Sequence, residues 1–430
     1  MTLFLVLALI TAVVTFLLSI AVYKVALRYK LYPKIRERDV HTRPTPRLGG
    51  VAMFLGIVVA FAVSFAIASH VSVLGVIFAD PAPVYAILGA SLLIVVLGVA
   101  DDLWDLDWLT KLAGQFVAAG LVAWFGGVTV LSLPLGGMVV GSAWMSVTMT
   151  IIAIVLVMNA INFIDGLDGL VAGVALIANG VFFIYSYTLT RETNPSNYFS
   201  LASVIAVILV GACAGFLPLN WHPARMFMGD TGALLVGLLM STSAIAVTGQ
   251  LDPAAIEQLG RTDLLPAFIP IILPFAVLIV PLLDFALAVL RRLNAGKTPF
   301  TADRKHLHHR LLDMGHSQMH AVLIFYGWTA VVSIGCLLVF MLPQLGWPIW
   351  IAVVFLIVGV IVCTIVTLAP LSRRKAREAV AELAPAGSTQ AEDTAQYDPL
   401  DQASEPSAAG ATPHQARAAT RAAEHNEKAQ

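Results

Sequence analysis

Long apolar stretches separated by short polar segments dominate this chain. Runs of about 17–25 apolar residues are long enough to cross a bilayer as helices. They fall near 3–23, 48–68, 83–100, 111–126, 143–161, 169–188, 199–217, 231–248, 265–290, 321–341 and 348–370. The pattern predicts eleven spanning helices, which puts the two chain ends on opposite sides. The ninth run is long and contains Pro266, Pro270, Pro274 and Pro281, with Asp284 near its end. Proline removes a backbone donor and crowds the preceding turn, so a bent or broken helix is expected there. The Gly-rich segment 127–142 reads as a short external hairpin. After Arg377 the chain turns Ala-, Glu-, Gln- and Pro-rich, with Tyr397 almost its only aromatic residue. Such a stretch cannot bury a core. The expected organisation is therefore a polytopic domain over 1–370 and a disordered cytoplasmic tail over 371–430. No internal repeat is visible.

Charge orients the spans. Segment 24–47 holds Lys24, Arg28, Lys30, Lys34, Arg36, Arg38, Arg43 and Arg47; residues 291–310 hold six more, and Arg373, Arg374, Lys375 and Arg377 follow the last run. Lysine and arginine concentrate on the cytoplasmic side. Eleven spans with the N-terminus outside and the C-terminus cytoplasmic place all of these inside, leaving Arg191 and Arg261 outside. Residues 3–23 lack a preceding basic segment, so they read as a retained span rather than a cleaved signal. Composition agrees: of 430 residues 59% are hydrophobic and 12% charged, with mean hydropathy +0.86. Soluble domains are about a quarter charged, so the fold class is an all-α integral membrane protein. Cys213, Cys336 and Cys363 lie inside apolar runs and make neither a disulfide framework nor a metal spacing. The net charge of −1 points to no particular partner, and no nucleic acid is expected.

The candidate chemistry lies at the ends of the spans. Asn159, Asn162, Asp165 and Asp168 recur every three residues at the end of the fifth run, with Gly166 and Gly169 among them. Neighbours in such a series sit about one helical turn apart and can face one ligand. A polar turn between spans is the plainer alternative, but acids beside a membrane are costly and point to function. Asp101, Asp102, Asp105 and Asp107 follow the third run. Adjacent carboxylates either share a cation or hold one member with a raised pKa, ready to act as a base; a solvated acidic turn is the other reading. Lys111 either reaches a phosphate or snorkels to the interface. Asp230 opens the eighth run after a loop with Asn220, His222 and Arg225. It is placed as an N-cap or beside a diphosphate at a helix N-terminus, and with Asn162 it would satisfy magnesium, which needs few protein oxygens. Arg304, Lys305, His306, His308, His309 and Arg310 form a cluster of donors suited to a diphosphate or lipid phosphate. Zinc and bulk cationic lipid contact are the competing readings. All the acids fall on the predicted cytoplasmic side. Arg43 and Arg47, in the segment running to Gly49 and Gly50, would lie with Asn159 on the substrate's approach.

Five motifs in order, Arg43–Gly50, Asp101–Asp105, Asn159–Gly169, Met228–Gly232 and His306–His309, make residues 1–370 resemble the polyprenyl-phosphate N-acetylhexosamine-1-phosphate transferases. The resemblance implies ten or eleven helices, a broken ninth helix and a cytoplasmic active site in a bacterial plasma membrane. It also implies transfer of a sugar-1-phosphate from a UDP-sugar to polyprenyl phosphate with release of UMP, aided by Mg2+ or Mn2+. By position, Asp101 and Asp102 match catalytic residues, and Asn162 and Asp230 match metal-site residues. Asp165 and Asp168 match nucleotide-side acids, and Lys111 a phosphate contact. Leu307 interrupts the histidines, which resembles the N-acetylglucosamine-1-phosphate branch rather than the muramyl-pentapeptide branch. The expected donor is then UDP-N-acetylglucosamine, the acceptor undecaprenyl or decaprenyl phosphate, and the product the start of a cell-envelope glycopolymer. A homodimer is compatible with the resemblance. The alternatives are a phospho-MurNAc-pentapeptide translocase or, in another class, an ion-coupled transporter.

Overall fold

The computed structural model of the chain describes residues 1–31, 45–68, 79–130, 142–193, 200–248 and 314–383, with Ala286, Val289, Leu290, Leu293, Leu311 and Leu312 between, and places side chains as far as Ala369. The described residues form ten helices and no strand. They are α1 (Thr2–Tyr29), α2 (Gly49–Ala68), α3 (Ala82–Trp104), α4 (Trp108–Gly120), α5 (Ala143–Ile164), α6 (Leu170–Thr193), α7 (Leu201–Asn220), α8 (Gly229–Thr248), α9 (Gln318–Gln344) and α10 (Trp350–Leu383). A wider turn, Leu121–Phe125, extends α4. All ten are long and apolar enough to cross a membrane, and each matches one predicted span. The ninth predicted span at 265–290, most of the 127–142 hairpin and the chain beyond Leu383 lie outside the described residues. The chain divides at Leu371, and the bundle belongs to the unit Met1–Leu371.

The packing follows the physics of lipid rather than of water. Thr11, Thr15 and Ser19 of α1 are fully buried, whereas Leu5, Leu9, Val13 and Leu17 face outward. Hydrocarbon solvates leucine as well as a protein interior does, so helices associate through small residues that let backbones approach. Gly211 of α7 is one such point: a Cβ there would lie 2.5 Å from Ala8 O and 2.7 Å from Thr11 Cβ. Thr15 likewise nests on Gly56 of α2. The central helix is α8, with 89% of its apolar stretch buried against 6% for α10. A central α8 puts its N-terminal turn within reach of several neighbours at once.

Side-chain contacts fix which helix ends lie together. Phe4 of α1 stacks edge-on with Phe183 of α6 at 5.0 Å, and Gln344 of α9 donates to Glu192 of α6. At the opposite end Tyr326 of α9 donates to Gly169 O, 2.5 Å, just before α6 begins. Met1 and the Asp165–Gly169 turn therefore occupy opposite ends of the bundle. Exposed tryptophans mark both ends: Trp104, Trp108 and Trp221 at one, Trp124, Trp144, Trp347 and Trp350 at the other. Such rings settle at the headgroup level. The carboxylates described next share the level of the first group.

Candidate active site

Glycine contacts draw the polar helix ends together. A Cβ on Gly50, in the first turn of α2, would lie 2.6 Å from Gly232 Cα; one on Gly98 of α3 would lie 2.6 Å from Thr231 N. Only residues without a side chain allow backbones this near. Three peptide hydrogen bonds then pin the start of α2 to the start of α8: Phe227 N to Pro46 O (2.8 Å), Gly49 N to Phe227 O (3.1 Å) and Gly50 N to Met228 O (3.1 Å). Gly229 adopts φ +69°, and a Cβ on it would sit 2.7 Å from Asp102 Oδ2. Arg47, Asp101, Asp102 and Asp230 are thus gathered by main-chain geometry.

Lys111 bridges two of the acids. Its Nζ lies 2.5 Å from Asp101 Oδ2 and 3.2 Å from Asp230 Oδ2. Asp101 Oδ1 accepts from Leu106 N, 2.9 Å, so both oxygens of Asp101 are engaged. Asp102 accepts from Thr231 Oγ1 through Oδ2, 3.2 Å. Asp165 joins from α5: Met158 packs on Gly237 of α8, which sets the end of α5 beside the start of α8. Burial, together with the negative charge of Asp230, pushes the Asp165 carboxyl up to about 7 against the opposing pull of Arg47. Four carboxylates, Asp101, Asp102, Asp165 and Asp230, therefore face two cations, Lys111 and Arg47, and the site has a surplus of negative charge.

The other predicted residues divide. Asn159 is engaged with α4: its Nδ2 donates to Gln115 Oε1 (2.5 Å) and, within α5, to Val155 O (2.8 Å), clasping α5 to α4. Asn162 lies one turn further on, half-buried, with no side-chain hydrogen bond among the described residues. Asp168 is buried, and its Oδ2 meets His222 Nδ1 at 2.8 Å and Ala224 N at 3.1 Å. Asp107 caps α4 through Leu109 N and Thr110 N, and its bonds to Thr110 hold its carboxyl below the usual range. Arg43, Arg304, His306, His308 and His309 lie outside the described residues.

Gln115, Thr231 and His222 received no role from sequence reasoning. Gln115 is a solitary amide in an apolar run, four residues after Lys111 and on the same face, and that signal was available. Thr231 and His222 gain their roles from partners 129 and 54 residues away, which no local pattern reveals.

Among the described residues no three His, Cys, Asp or Glu side chains converge as a metal cage. The donors present are oxygens, and the charge surplus beside Asp230 is of the kind a divalent cation offsets. Magnesium commonly takes one or two protein groups plus substrate phosphates and water, and the carboxylate oxygens of Asp230 are donors of the type it takes.

Residues 84–248 match the family described as glycosyl transferase family 4. The chain is 38% identical to a decaprenyl-phosphate N-acetylglucosaminephosphotransferase of Mycolicibacterium smegmatis, covering 84% of this chain and 87% of the relative. A probable undecaprenyl-phosphate N-acetylglucosaminyl 1-phosphate transferase of Bacillus subtilis is 28% identical over 75% of this chain and 81% of its own. A phospho-N-acetylmuramoyl-pentapeptide-transferase of Halalkalibacterium halodurans is 29% identical over 77% and 97%.

Proposed function

The chain belongs to glycosyl transferase family 4, and from that premise we infer that it transfers N-acetylglucosamine-1-phosphate from UDP-N-acetylglucosamine to polyprenyl phosphate, releasing UMP. It is a multi-pass protein of a bacterial membrane. The observation that carries the reading is the Lys111-bridged carboxylate cluster at the headgroup level of the bundle. A lipid phosphate and a soluble nucleotide meet at that level. Lys24, Arg28 and Lys30 at the close of α1 and Arg47 before α2 fall at that end, which supports a cytoplasmic site.

Phosphoryl transfer asks the protein mainly for positioning and charge neutralisation. Asp101 is committed to Leu106 N and Lys111, so it organises the α3–α4 turn and holds the ammonium in place. Asp102 keeps an oxygen outside its bond to Thr231. That supports Asp102 as the group that takes a proton from the lipid phosphate or orients it for in-line attack on the phosphorus bearing the sugar. Lys111, released from one carboxylate, would contact the diphosphate. Asp230 and Asn162 would hold magnesium or manganese, which when bound neutralises charge on the diphosphate. Asp165, which feels the charge of Asp230, would face the nucleotide.

The donor sugar is supported by the decaprenyl-phosphate N-acetylglucosaminephosphotransferases at 38–39% identity, against 29–30% for the pentapeptide transferases. The test is one purified full-length preparation offered each UDP-sugar with decaprenyl or undecaprenyl phosphate and magnesium. UMP release with UDP-N-acetylglucosamine is expected, and Asp102→Asn and Asp230→Asn should each abolish it. Near-normal turnover in both variants would sink the assignment, and ion flux without UMP would favour a transporter.

A further inference from the structure

We propose that His222 is a nucleotide-binding residue whose Nε2 accepts a hydrogen bond from an N–H or hydroxyl of the uridine moiety, and that Asp168 acts through it as a positioning residue. The proposal rests on the transferase reading above. Asp168 has no exposed side-chain surface, whereas His222 is 39% exposed. A fully enclosed carboxylate cannot touch a nucleotide, so the ligand role expected of Asp168 must be exercised through a neighbour. That neighbour is His222, whose Nδ1 lies 2.8 Å from Asp168 Oδ2. The same oxygen accepts from Ala224 N at 3.1 Å. Since that oxygen is already an acceptor, the ring hydrogen is assigned to Nδ1, and Nε2 presents its lone pair. The ring is thereby oriented, and Nε2 becomes its outward edge. Proteins commonly orient imidazoles for ligand contact by a carboxylate on the far nitrogen.

The surroundings hold this pair rigidly and near the chemistry. Gly169 N donates to Asn220 Oδ1 and Asn220 Nδ2 donates to Met226 O, each at 3.0 Å. Those bonds lock the Asp165–Gly169 turn to the loop carrying His222. Asp165 at the start of that turn senses the charge of Asp230. The loop itself ends at Phe227, which is pinned to Pro46 beside Arg47. His222 is therefore tied, through this turn and loop, to the carboxylate cluster, and a uridine held there brings N–H and hydroxyl donors that need an acceptor. An imidazole whose hydrogen is turned towards Asp168 supplies one.

Two isosteres separate ligand binding from loop bracing. Asparagine places its amide where Nδ1 was; glutamine places it near Nε2. His222→Asn, His222→Gln and Asp168→Asn would be compared with wild type for KM of UDP-N-acetylglucosamine, inhibition by UMP, KM of polyprenyl phosphate and thermal midpoint. His222→Asn should keep the midpoint but weaken both nucleotide constants by up to roughly tenfold, the worth of one well-formed hydrogen bond. His222→Gln should keep the nucleotide constants nearer wild type, and Asp168→Asn should weaken them with the lipid KM unchanged. Wild-type nucleotide constants in His222→Asn would overturn the proposal. So would equal losses for both substrates accompanied by a lower midpoint, because that is the signature of a loop brace. A wild-type preparation that released no UMP would instead overturn the transferase reading, and this proposal with it.

Discussion

Replacing Gly98 by alanine adds one methyl group at a backbone crossing of the site. The new Cβ would lie 2.6 Å from Thr231 N and 2.7 Å from Thr231 Oγ1. Heavy atoms rest near 3.5–4.0 Å, so α3 and α8 must part by roughly 1 Å. The obstacle is backbone, which cannot rotate aside as a side chain could. Overpacking of this kind costs about 1–3 kcal/mol. Alanine also favours a helix over glycine by about 1 kcal/mol, so the net loss of stability should be only about 0–2 kcal/mol. Catalysis should suffer far more. The displaced pair includes Asp102 and Thr231, now 3.2 Å apart, and misplacement by about 1 Å can lower turnover on the order of 10²-fold. Gly89 lies on the same helix, is exposed and has nothing within 4 Å of its would-be Cβ. Gly89→Ala is therefore the control for helix propensity alone, and it should be neutral or stabilising with normal turnover. Thermal midpoints in detergent and UMP release measured on both variants make the comparison. Full activity in Gly98→Ala would refute the idea that this crossing sets the site.

Two further outcomes follow from the charge arrangement. Lys111→Met leaves Asp101 and Asp230 without their shared cation; allowing for partial exposure, destabilisation of about 2 kcal/mol is expected, with loss of UMP release. Adding Asp101→Asn should recover part of the stability, and an unchanged midpoint in the single variant would contradict the bridge. The Asp165 carboxyl titrates near 7 in the folded protein and near 3.9 when unfolded. Its proton therefore stabilises the fold fully below about pH 4, and that contribution is lost as pH rises through about 7. Melting curves across this window should be flatter in Asp165→Asn than in wild type; parallel curves would rule the group out.

How much of this was legible beforehand depends on whether a feature is local. Helix α6 begins at Leu170 where the apolar run begins, and α8 opens at Gly229 beside Asp230, because a span is announced by its own residues. The gathering of Asp101, Asp102, Asp165 and Asp230 could be anticipated only as far as one side of the membrane. Their actual meeting depends on Gly50 and Gly98 touching α8, and a glycine does not announce its partner. Lys111 illustrates the gap. Its isolation at the head of an apolar run suggested a phosphate contact or a snorkelling chain, yet it lies between two carboxylates. Asn159 was grouped with the acids by spacing, but its rotation on α5 turns it towards Gln115. Helical period places residues three apart on one broad face without saying which neighbour each will meet.

The join between the starts of α2 and α8 is made by peptide groups, from Pro46 to Gly50 on one side and Phe227 to Met228 on the other. Peptide groups are common to every amino acid, so this seam is blind to the side chains at Leu48 or Phe227 but sensitive to length. Exchange of such residues leaves the pairing intact. Insertion or deletion of a single residue between Pro46 and Gly50 would slip every bond along it and swing Arg47 away from Asp102 and Asp165. The segment is therefore open to exchange at Leu48 but fixed in its two glycines and in its length.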